Sequence, residues 1–220
     1  MCGRYTLYSH EDDLASLFEV KPLPLTERYN IAPTQEVPVV TERPGGAREM
    51  SFMRWGLIPH WVKDPTEFKS TLFNARSESA AEKPSFRDAM KTSRCLIPAD
   101  GFYEWRSEGG SKQPYFIKRQ DGKPLAFAGL DSAWTQGSQP LMSCTLLTTD
   151  SHGPMTELHH RVPVILEQDE WERWMDPGQV DPREVEDLLH APADDVLAWH
   201  PVGKQVGNAR IDVPELVQPV

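Results

Sequence analysis

Long apolar segments and paired cysteines are missing from this chain of 220 residues. No run of about 18 apolar residues occurs, which argues against a transmembrane helix. The amino terminus lacks the basic start and apolar stretch of a secretory signal. Cys2, Cys95 and Cys144 form no Cys-x-x-Cys pair, and an odd, widely spaced set argues against a disulfide framework. We therefore expect a soluble protein of a reducing, cytoplasmic compartment.

Several catalytic signatures are also missing. The sequence has no Gly-x-Gly-x-x-Gly motif, no Walker phosphate loop and no Gly-x-Ser-x-Gly nucleophile elbow. The adjacent His159 and His160 have no further ligands at zinc-finger spacing. These absences argue against nucleotide cofactors and α/β-hydrolase chemistry, and we predict neither a cofactor nor a metal.

Positive charge is in deficit. The chain has 23 Lys and Arg residues against 33 Asp and Glu residues, a formal net charge of −10. Bulk electrostatics of this sign disfavours a nucleic-acid partner, although a local basic cleft still focuses the field. Many acidic residues lie in the stretches 167–176 and 181–195, which indicate solvated helix faces far in sequence from the early arginines.

Strand-like runs and turn signals dominate what the sequence does contain. The predicted strands are Val37–Val40, Ser51–Ile58, Cys95–Trp105, Tyr115–Lys118, Leu125–Leu130, Leu141–Thr148 and Val162–Leu166. Helices are predicted after a capping box at Ser9–Asp12, around Trp171–Met175 and from Asp181–Pro182. The proline-rich stretch 21–38 is expected to break regular structure. Residues 1–220 therefore predict a single α+β domain with a curved mixed β-sheet flanked by a few helices.

Cys2 directly follows the initiator methionine. Because cysteine is small, an aminopeptidase is expected to remove Met1 and leave a free α-amine and a free thiol on neighbouring carbons. The amine condenses with an aldehyde to a Schiff base, and the thiol closes on the same carbon to a thiazolidine. With pKa values of roughly 8 and 8.5, both groups are partly reactive near neutral pH. Arg4 is expected to lower the thiol pKa further. The alternative is a small buried residue near a chain end.

A carboxylate lies in the segment Asp100–Trp105. Strand alternation places Phe102, Glu104 and Arg106 on one face, with Tyr103 on the other. Near bulky aromatic side chains, the Glu104 carboxylate is expected to be partly desolvated, which would raise its pKa and suit it to proton transfer. A solvated strand carboxylate is the alternative.

His159 and His160 lie in an extended segment, where adjacent side chains point in opposite directions, so at most one is expected to face a given site. They are either a pair of surface or core histidines, or include a single general acid and base near pH 7.

The segment 73–78 offers Asn74 as a donor to an oxyanion or sugar oxygen and Arg76 as a phosphate contact. Loop capping is the ordinary alternative for an asparagine.

Taken together and in order, these segments resemble the SRAP family, the SOS response-associated peptidases or abasic-site processing proteins. The matching stretches are Met1–Tyr5, Arg28–Pro33, Trp55–Pro59, Asn74–Glu78, Arg94–Trp105, His159–Pro163, Trp199–Val202 and Gly207–Asn208. They span nearly the whole chain, and the ordered set is specific although no single motif is. Two positions depart from the family: Val162 stands where Met or Arg is frequent, and Val62 follows Trp61 where some members have a second aromatic residue.

The resemblance implies the SRAP fold, in which the curved mixed sheet is barrel-like, and it implies covalent chemistry on DNA. Family members react through the N-terminal cysteine with abasic sites in single-stranded DNA, and the resulting crosslink shields the site during the DNA damage response. By similarity, Cys2 is the nucleophile, Asn74 positions the sugar or the Cys2 backbone, Glu104 moves protons, and His159 helps to open the sugar and to reverse the crosslink. The implied DNA contacts are Arg4, Arg76 and Arg161 to flanking phosphates, and Pro33 and Trp61 to displaced bases.

Single-stranded DNA with abasic sites is therefore the predicted partner. We expect a monomer without membrane association, cytoplasmic and associated with the nucleoid when bound to damaged DNA. Two other functions remain open from the residues. One is a cysteine peptidase that uses Cys2, His159 and Asn74, and the other is a noncatalytic module that binds single-stranded DNA or protein.

Overall fold

The computed structural model describes residues 2–68 and 70–220, so Met1 lies outside the described residues. The strands in chain order are β1 (Tyr5–Leu7), β2 (Arg28–Ile31), β3 (Glu36–Glu42), β4 (Arg48–Trp55), β5 (Asn74–Arg76), β6 (Arg94–Ala99), β7 (Gly101–Glu108), β8 (Ser111–Arg119), β9 (Leu125–Trp134), β10 (Leu141–Asp150), β11 (Arg161–Pro163) and β12 (Leu197–Pro201). The α-helices are α1 (Glu11–Phe18), α2 (Ser77–Ala80), α3 (Arg87–Thr92) and α4 (Trp171–Met175). Short 3₁₀ helices span Gly153–Glu157, Gln168–Glu170, Pro182–Leu188, Lys204–Gly207 and Pro214–Val217.

Five strands close into a barrel. Strand β3 pairs antiparallel with β4 and β6, β6 with β9, and β9 with β10. The parallel pair of β4 and β10 completes the ring. Beyond the ring, β10 also pairs with β5 and β11. This arrangement confirms the predicted α+β architecture with a curved, barrel-like mixed sheet.

A second sheet has the order β12-β8-β7-β1-β2 and is antiparallel throughout. One face packs on the barrel core, where Tyr5 and Phe102 meet Phe127 edge-to-face at 6.0 and 5.9 Å between ring centroids. The opposite face carries Tyr103 and Phe116, which pack with three residues near the carboxyl end: Val202, Val206 and Leu216. The predicted alternation of Phe102 and Tyr103 is thereby confirmed.

Gly101 permits the close packing at the start of β7. A Cβ atom at this position would lie 2.5 Å from the Phe116 ring and 2.6 Å from the Ile117 carbonyl oxygen. Real Cβ contacts of that length essentially do not occur, because the atoms would overlap. Glycine therefore allows β7 to run between β1 and β8, and β1 is the strand that leads to Cys2.

Three local predictions were wrong. The helix α1 is capped by His10, whose Nδ1 accepts from the Asp12 N–H at 3.3 Å. Ser9 is not the cap because its hydroxyl donates to Asp100. The same carboxylate accepts the backbone N–H groups of Tyr8 and Ser9, and the predicted strand 95–105 is divided into two strands at Asp100. The stretch 21–38 is not irregular throughout, since it holds β2 and the start of β3.

The later helices follow the predictions. Among the turns, Gly109 and Gly110 have positive φ in the hairpin between the antiparallel strands β7 and β8. The turn at Gly122, which also has positive φ, is not a hairpin turn, because it joins β8 to β9 and these strands lie in different sheets. Asp181 caps the 3₁₀ helix that Pro182 opens, and its side chain accepts from the Arg183 N–H. Within the described residues, no helix is both long and apolar enough to cross a membrane.

Candidate active site

Strand β1 delivers Cys2 to a site between two neighbouring strands. Tyr5 pairs with Ile31 of β2 on one side and with Phe102 of β7 on the other. The Tyr103 N–H donates to the Arg4 carbonyl at 3.0 Å, so the pairing continues toward the amino terminus. Continuing this register places Gly3 opposite Glu104, and Cys2 therefore lies at the Glu104 end of the sheet.

Asn74 holds the backbone of Cys2. Its Nδ2 donates to the Cys2 carbonyl oxygen at 2.7 Å. Asn74 begins β5, which runs parallel to β10 with Asn74 opposite Leu146. The preceding carbonyl, that of Phe73, accepts the Trp55 indole N–H at 2.8 Å, so the barrel fixes the start of this strand. This contact agrees with the expectation that Asn74 positions the Cys2 backbone.

The Cys2 thiol is fully buried, and burial raises its pKa. The negative charge of Glu104 raises it further, and the Arg4 backbone offsets only part of the shift. The thiol donates to the Arg4 carbonyl at 3.6 Å, a contact that favours the protonated form. The expectation that Arg4 lowers this pKa is wrong, because the Arg4 guanidinium turns to the Gly3 carbonyl at 2.8 Å and the desolvation of the thiol dominates. The thiol therefore needs a base to become nucleophilic.

Glu104 is 3% exposed, and burial raises the pKa of its carboxyl to about 7. The predicted desolvation is confirmed. A carboxyl with this pKa is present in both protonation states near neutral pH, which suits proton transfer in either direction. It lies on the same face of β7 as Phe102, inside the packed region between the sheets.

His159 is half-buried, and burial lowers its pKa to about 4. The ring is therefore neutral at pH 7, in contrast to the predicted acid and base that titrates near neutrality. His159 Nδ1 lies 3.0 Å from the Arg161 N–H, which favours the proton on Nε2, and 3.1 Å from the Arg161 carbonyl oxygen, which favours the proton on Nδ1. His160 is exposed and stacks on His159 with 4.4 Å between ring centroids.

Arg161 lies in an internal ion-pair network. Its side chain is 5% exposed and pairs with Glu78 at 2.7 Å and with Asp150 at 2.6 Å. It also donates to the Thr148 carbonyl. These contacts join β11 to β10 and to α2, so the guanidinium already serves the fold. Its predicted phosphate contact stays a prediction.

The other predicted DNA contacts lie around this centre. Arg76 is exposed at the end of β5, two residues beyond Asn74, and Pro33 is half-buried in the turn after β2. Trp61 is 48% exposed on a separate loop, which Trp134 anchors through its indole N–H to the Val62 carbonyl at 2.6 Å. Phe68 packs edge-to-face on Trp61 with 6.4 Å between centroids. The sequence analysis missed Phe68, because the aromatic pair forms across seven positions of irregular loop.

The structure thus brings Cys2, Asn74 and Glu104 together. His159 lies just before β11, and β11 pairs with β10, the strand that also pairs with β5, where Asn74 lies. Among residues 2–68 and 70–220, no group of three or more His, Cys, Asp or Glu side chains is arranged to hold a metal ion. The arrangement is that of a buried thiol beside a carboxyl of near-neutral pKa.

Comparisons with known proteins agree with this arrangement. The family model "SOS response associated peptidase (SRAP)" matches residues 1–209. The abasic site processing protein YoqW of Bacillus subtilis (strain 168) is 39% identical over 99% of both chains. The abasic site processing protein HMCES of Gallus gallus is 35% identical over 87% of this chain and 66% of its own length. A crystal structure of a protein from Bacteroides thetaiotaomicron superposes with a TM-score of 0.89 at 26% identity, covering 100% of both chains. The chain belongs to the SRAP family.

Proposed function

We propose that this protein processes abasic sites in single-stranded DNA by crosslinking itself to them through Cys2. The observation that carries the proposal is the hydrogen bond from Asn74 Nδ2 to the Cys2 carbonyl at 2.7 Å, which fixes the terminal nucleophile beside Glu104. The names of relatives such as YoqW and HMCES, which are abasic site processing proteins, support the same substrate.

The first step is condensation of the amine with the aldehyde. After Met1 is removed, the Cys2 nitrogen attacks C1′ of the ring-opened deoxyribose, a C–N bond forms, and a proton moves from nitrogen to the former carbonyl oxygen. Loss of that hydroxyl as water leaves an imine. The protonated form of Glu104, which is populated because its pKa is about 7, donates the proton that the leaving hydroxyl needs.

The second step is ring closure by sulfur. The Cys2 thiol is protonated because burial raises its pKa, so its proton passes to the Glu104 carboxylate. The sulfur then bonds to C1′, and the imine nitrogen takes up a proton. The balance is one aldehyde and one cysteine giving one thiazolidine and one water. Closure removes the imine, the electron sink that β-elimination and strand cleavage require.

His159 assists at the sugar. In the proposed role, Nδ1 accepts from the Arg161 N–H and the neutral ring carries its proton on Nε2, which donates to the ring oxygen while the sugar opens. The same contact serves reversal, when the oxygen returns to C1′. A donor that stays neutral at pH 7 requires no change of charge in the site.

The substrate is an unpaired strand. Arg76 and Arg4 hold phosphates beside the abasic sugar, and Pro33 and Trp61 pack against displaced bases. A duplex reacts poorly because splaying its abasic sugar into the site breaks stacking around it. The protein acts as a monomer of one domain, and on damaged DNA it joins the nucleoid.

The test is intact mass spectrometry of the purified protein mixed with a single-stranded oligonucleotide that holds one abasic site. The wild type should lose Met1 and gain one DNA strand, whereas Cys2→Ala should gain none. A matched control inserts a glutamate between Met1 and Cys2, which keeps the thiol and displaces the amine. This form should also give no adduct.

The same proteins separate the two alternative functions. A cysteine peptidase needs the thiolate and not the amine, so its activity would survive the glutamate insertion. The raised thiol pKa disfavours that function, because peptidase cysteines are activated as thiolates. A noncatalytic binding module would retain DNA binding in Cys2→Ala and form no adduct with the wild type. Equal adduct yield from the wild type and Cys2→Ala rejects the proposal.

A further inference from the structure

Thr34 has a backbone conformation that its residue type disfavours. Its φ is 77°, and a β-branched residue at positive φ is a genuine outlier. The Gln35 N–H donates to the Ala32 carbonyl at 3.3 Å, so Pro33 and Thr34 are the central residues of a β-turn. Proline at the first central position and positive φ at the second are typical of a type II turn, where glycine is the ordinary second residue.

Hydrogen bonds fix this turn from the barrel side. The Thr34 N–H donates to the Trp55 carbonyl at 2.7 Å, and the Trp55 N–H donates to the Gln35 carbonyl at 2.8 Å. The Ala32 N–H donates to Gln35 Oε1 at 2.9 Å. A strained backbone conformation persists where several surrounding contacts hold it in place. None of these contacts uses the Thr34 side chain, so glycine would satisfy the turn without strain, and folding alone does not account for the threonine.

The turn lies at the same end of the β1–β2 strand pair as Cys2. Tyr5 of β1 is opposite Ile31 of β2 in an antiparallel pair. Cys2 precedes Tyr5 by three residues and Thr34 follows Ile31 by three residues, so both lie at the same end of the strand pair. Thr34 is exposed, and its hydroxyl and methyl groups are therefore available to a strand that enters this site.

The arginines near this site are not equally available to phosphates. Arg161 pairs with two carboxylates, those of Glu78 and Asp150, whereas Arg4 contacts only a neutral acceptor, the Gly3 carbonyl, at 2.8 Å. In a chain of net charge −10, an entering strand therefore depends on neutral donors as well as on arginine. Threonine hydroxyls are ordinary donors to phosphate oxygens.

We propose that Thr34 is a DNA-contacting residue whose hydroxyl donates to a phosphate oxygen next to the abasic sugar, held there by a strained turn. The inference rests on the proposed crosslinking function and adds to it a neutral phosphate contact. A glycine at this position would relax the backbone and lose the contact, which explains why the strained residue is present.

The experiment compares Thr34→Ala, Thr34→Gly and Thr34→Ser with the wild type. We measure the crosslinking rate on abasic single-stranded DNA at subsaturating concentration and over a salt series, together with chemical denaturation. Thr34→Ser should stay within about twofold of the wild type, whereas Thr34→Ala and Thr34→Gly should be about fivefold slower, as expected for one lost hydrogen bond. Thr34→Gly should unfold at a higher denaturant concentration than Thr34→Ala, which excludes misfolding as the cause of its slower reaction.

The salt series identifies the kind of contact. Thr34→Ala should keep the wild-type slope of log rate against log salt, whereas Arg76→Ala should flatten it by about 0.7, the value for one phosphate contact on a single strand. Rates for Thr34→Ala and Thr34→Gly within twofold of the wild type overturn the inference and leave the crosslinking function intact. A slower rate for Thr34→Gly alone also overturns the inference, since it would show that backbone rigidity, and not the hydroxyl contact, sets the rate. Failure of the wild type to crosslink at all would instead reject the proposed function.

Discussion

At the residue scale, the chemistry of the site depends on two pKa values, those of the Cys2 thiol and the Glu104 carboxyl, and burial raises both. The position of Cys2 behind Met1 and the strand alternation around Glu104 are readable from the sequence, and the desolvation of Glu104 follows from its aromatic neighbours. The sequence does not predict the direction in which the pKa of the Cys2 thiol shifts. It depends on the depth of the thiol below the surface and on the orientation of the Arg4 side chain, and neither is encoded in residue spacing.

Glu104→Gln should separate stability from catalysis. The folded-state pKa of Glu104, about 7, lies above its usual value of 4.5, so the folded protein binds this proton more tightly than the unfolded chain does. Its contribution to stability therefore falls as pH rises from about 4.5 to about 7. At pH 8, Glu104→Gln should be more stable than the wild type by about 3 kcal/mol, and the difference should vanish below about pH 4.5.

The crosslinking rate should depend on both forms of Glu104. Dehydration uses the protonated carboxyl and ring closure uses the carboxylate, so the wild-type rate should pass through a maximum near pH 7, and Glu104→Gln should be at least about tenfold slower without that maximum. Denaturation and single-turnover crosslinking between pH 4 and pH 9 measure both effects. A destabilised Glu104→Gln at pH 8 contradicts the account.

At the element scale, apolar runs predict the long strands and fail on the short ones. Strands β9 and β10 contain long runs of consecutive buried residues, whereas β1, β5 and β12 span three to five residues and were not predicted. The start of α1 was misplaced because Ser9 bonds to Asp100, a residue 91 positions away. Local capping rules do not include such a partner.

Arg161 should act first as a structural residue. Its buried guanidinium joins β11, β10 and α2 through Glu78, Asp150 and Thr148. Arg161→Ala should lower the free energy of unfolding by about 2–4 kcal/mol, because three elements lose their common partner. Arg173→Ala is the matched control, since the pair of Arg173 with Asp187 is exposed to solvent and should contribute far less to the free energy of unfolding than the Arg161 pairs. Wild-type stability with lost DNA affinity would instead assign Arg161 to the DNA contact.

Asp212 should stabilise the free edge of β2. Its carboxylate accepts the N–H groups of Tyr29 and Asn30 and pairs with Arg28 at 2.9 Å. Asp212→Ala should cost about 1–2 kcal/mol in chemical denaturation, because two backbone donors at a sheet edge lose their acceptor. Asp212→Asn keeps one acceptor oxygen and should cost less than Asp212→Ala. Equal costs for the two variants would show that charge, and not the edge contact, is what matters.

At the scale of the whole molecule, the order of the motifs predicts the fold better than any pattern within them. The parallel pairing of β4 with β10 closes the barrel, and no local signal marks it, since the two strands are far apart in sequence. The resemblance supplied the barrel-like architecture, and the structural neighbour with a TM-score of 0.89 agrees with it. The Thr34 turn was not predicted either, because its positive φ is imposed by contacts with Trp55.

The most direct test of the account is the lifetime of the adduct on abasic single-stranded DNA without any reducing agent, compared between the wild type and Cys2→Ser. Both variants present an α-amine, but only the wild type presents a sulfur that closes the ring. The account predicts a wild-type adduct with the mass of protein plus DNA less one water, lasting at least about tenfold longer than any Cys2→Ser adduct. Equal lifetimes, or a wild-type adduct seen only after chemical reduction, would contradict it.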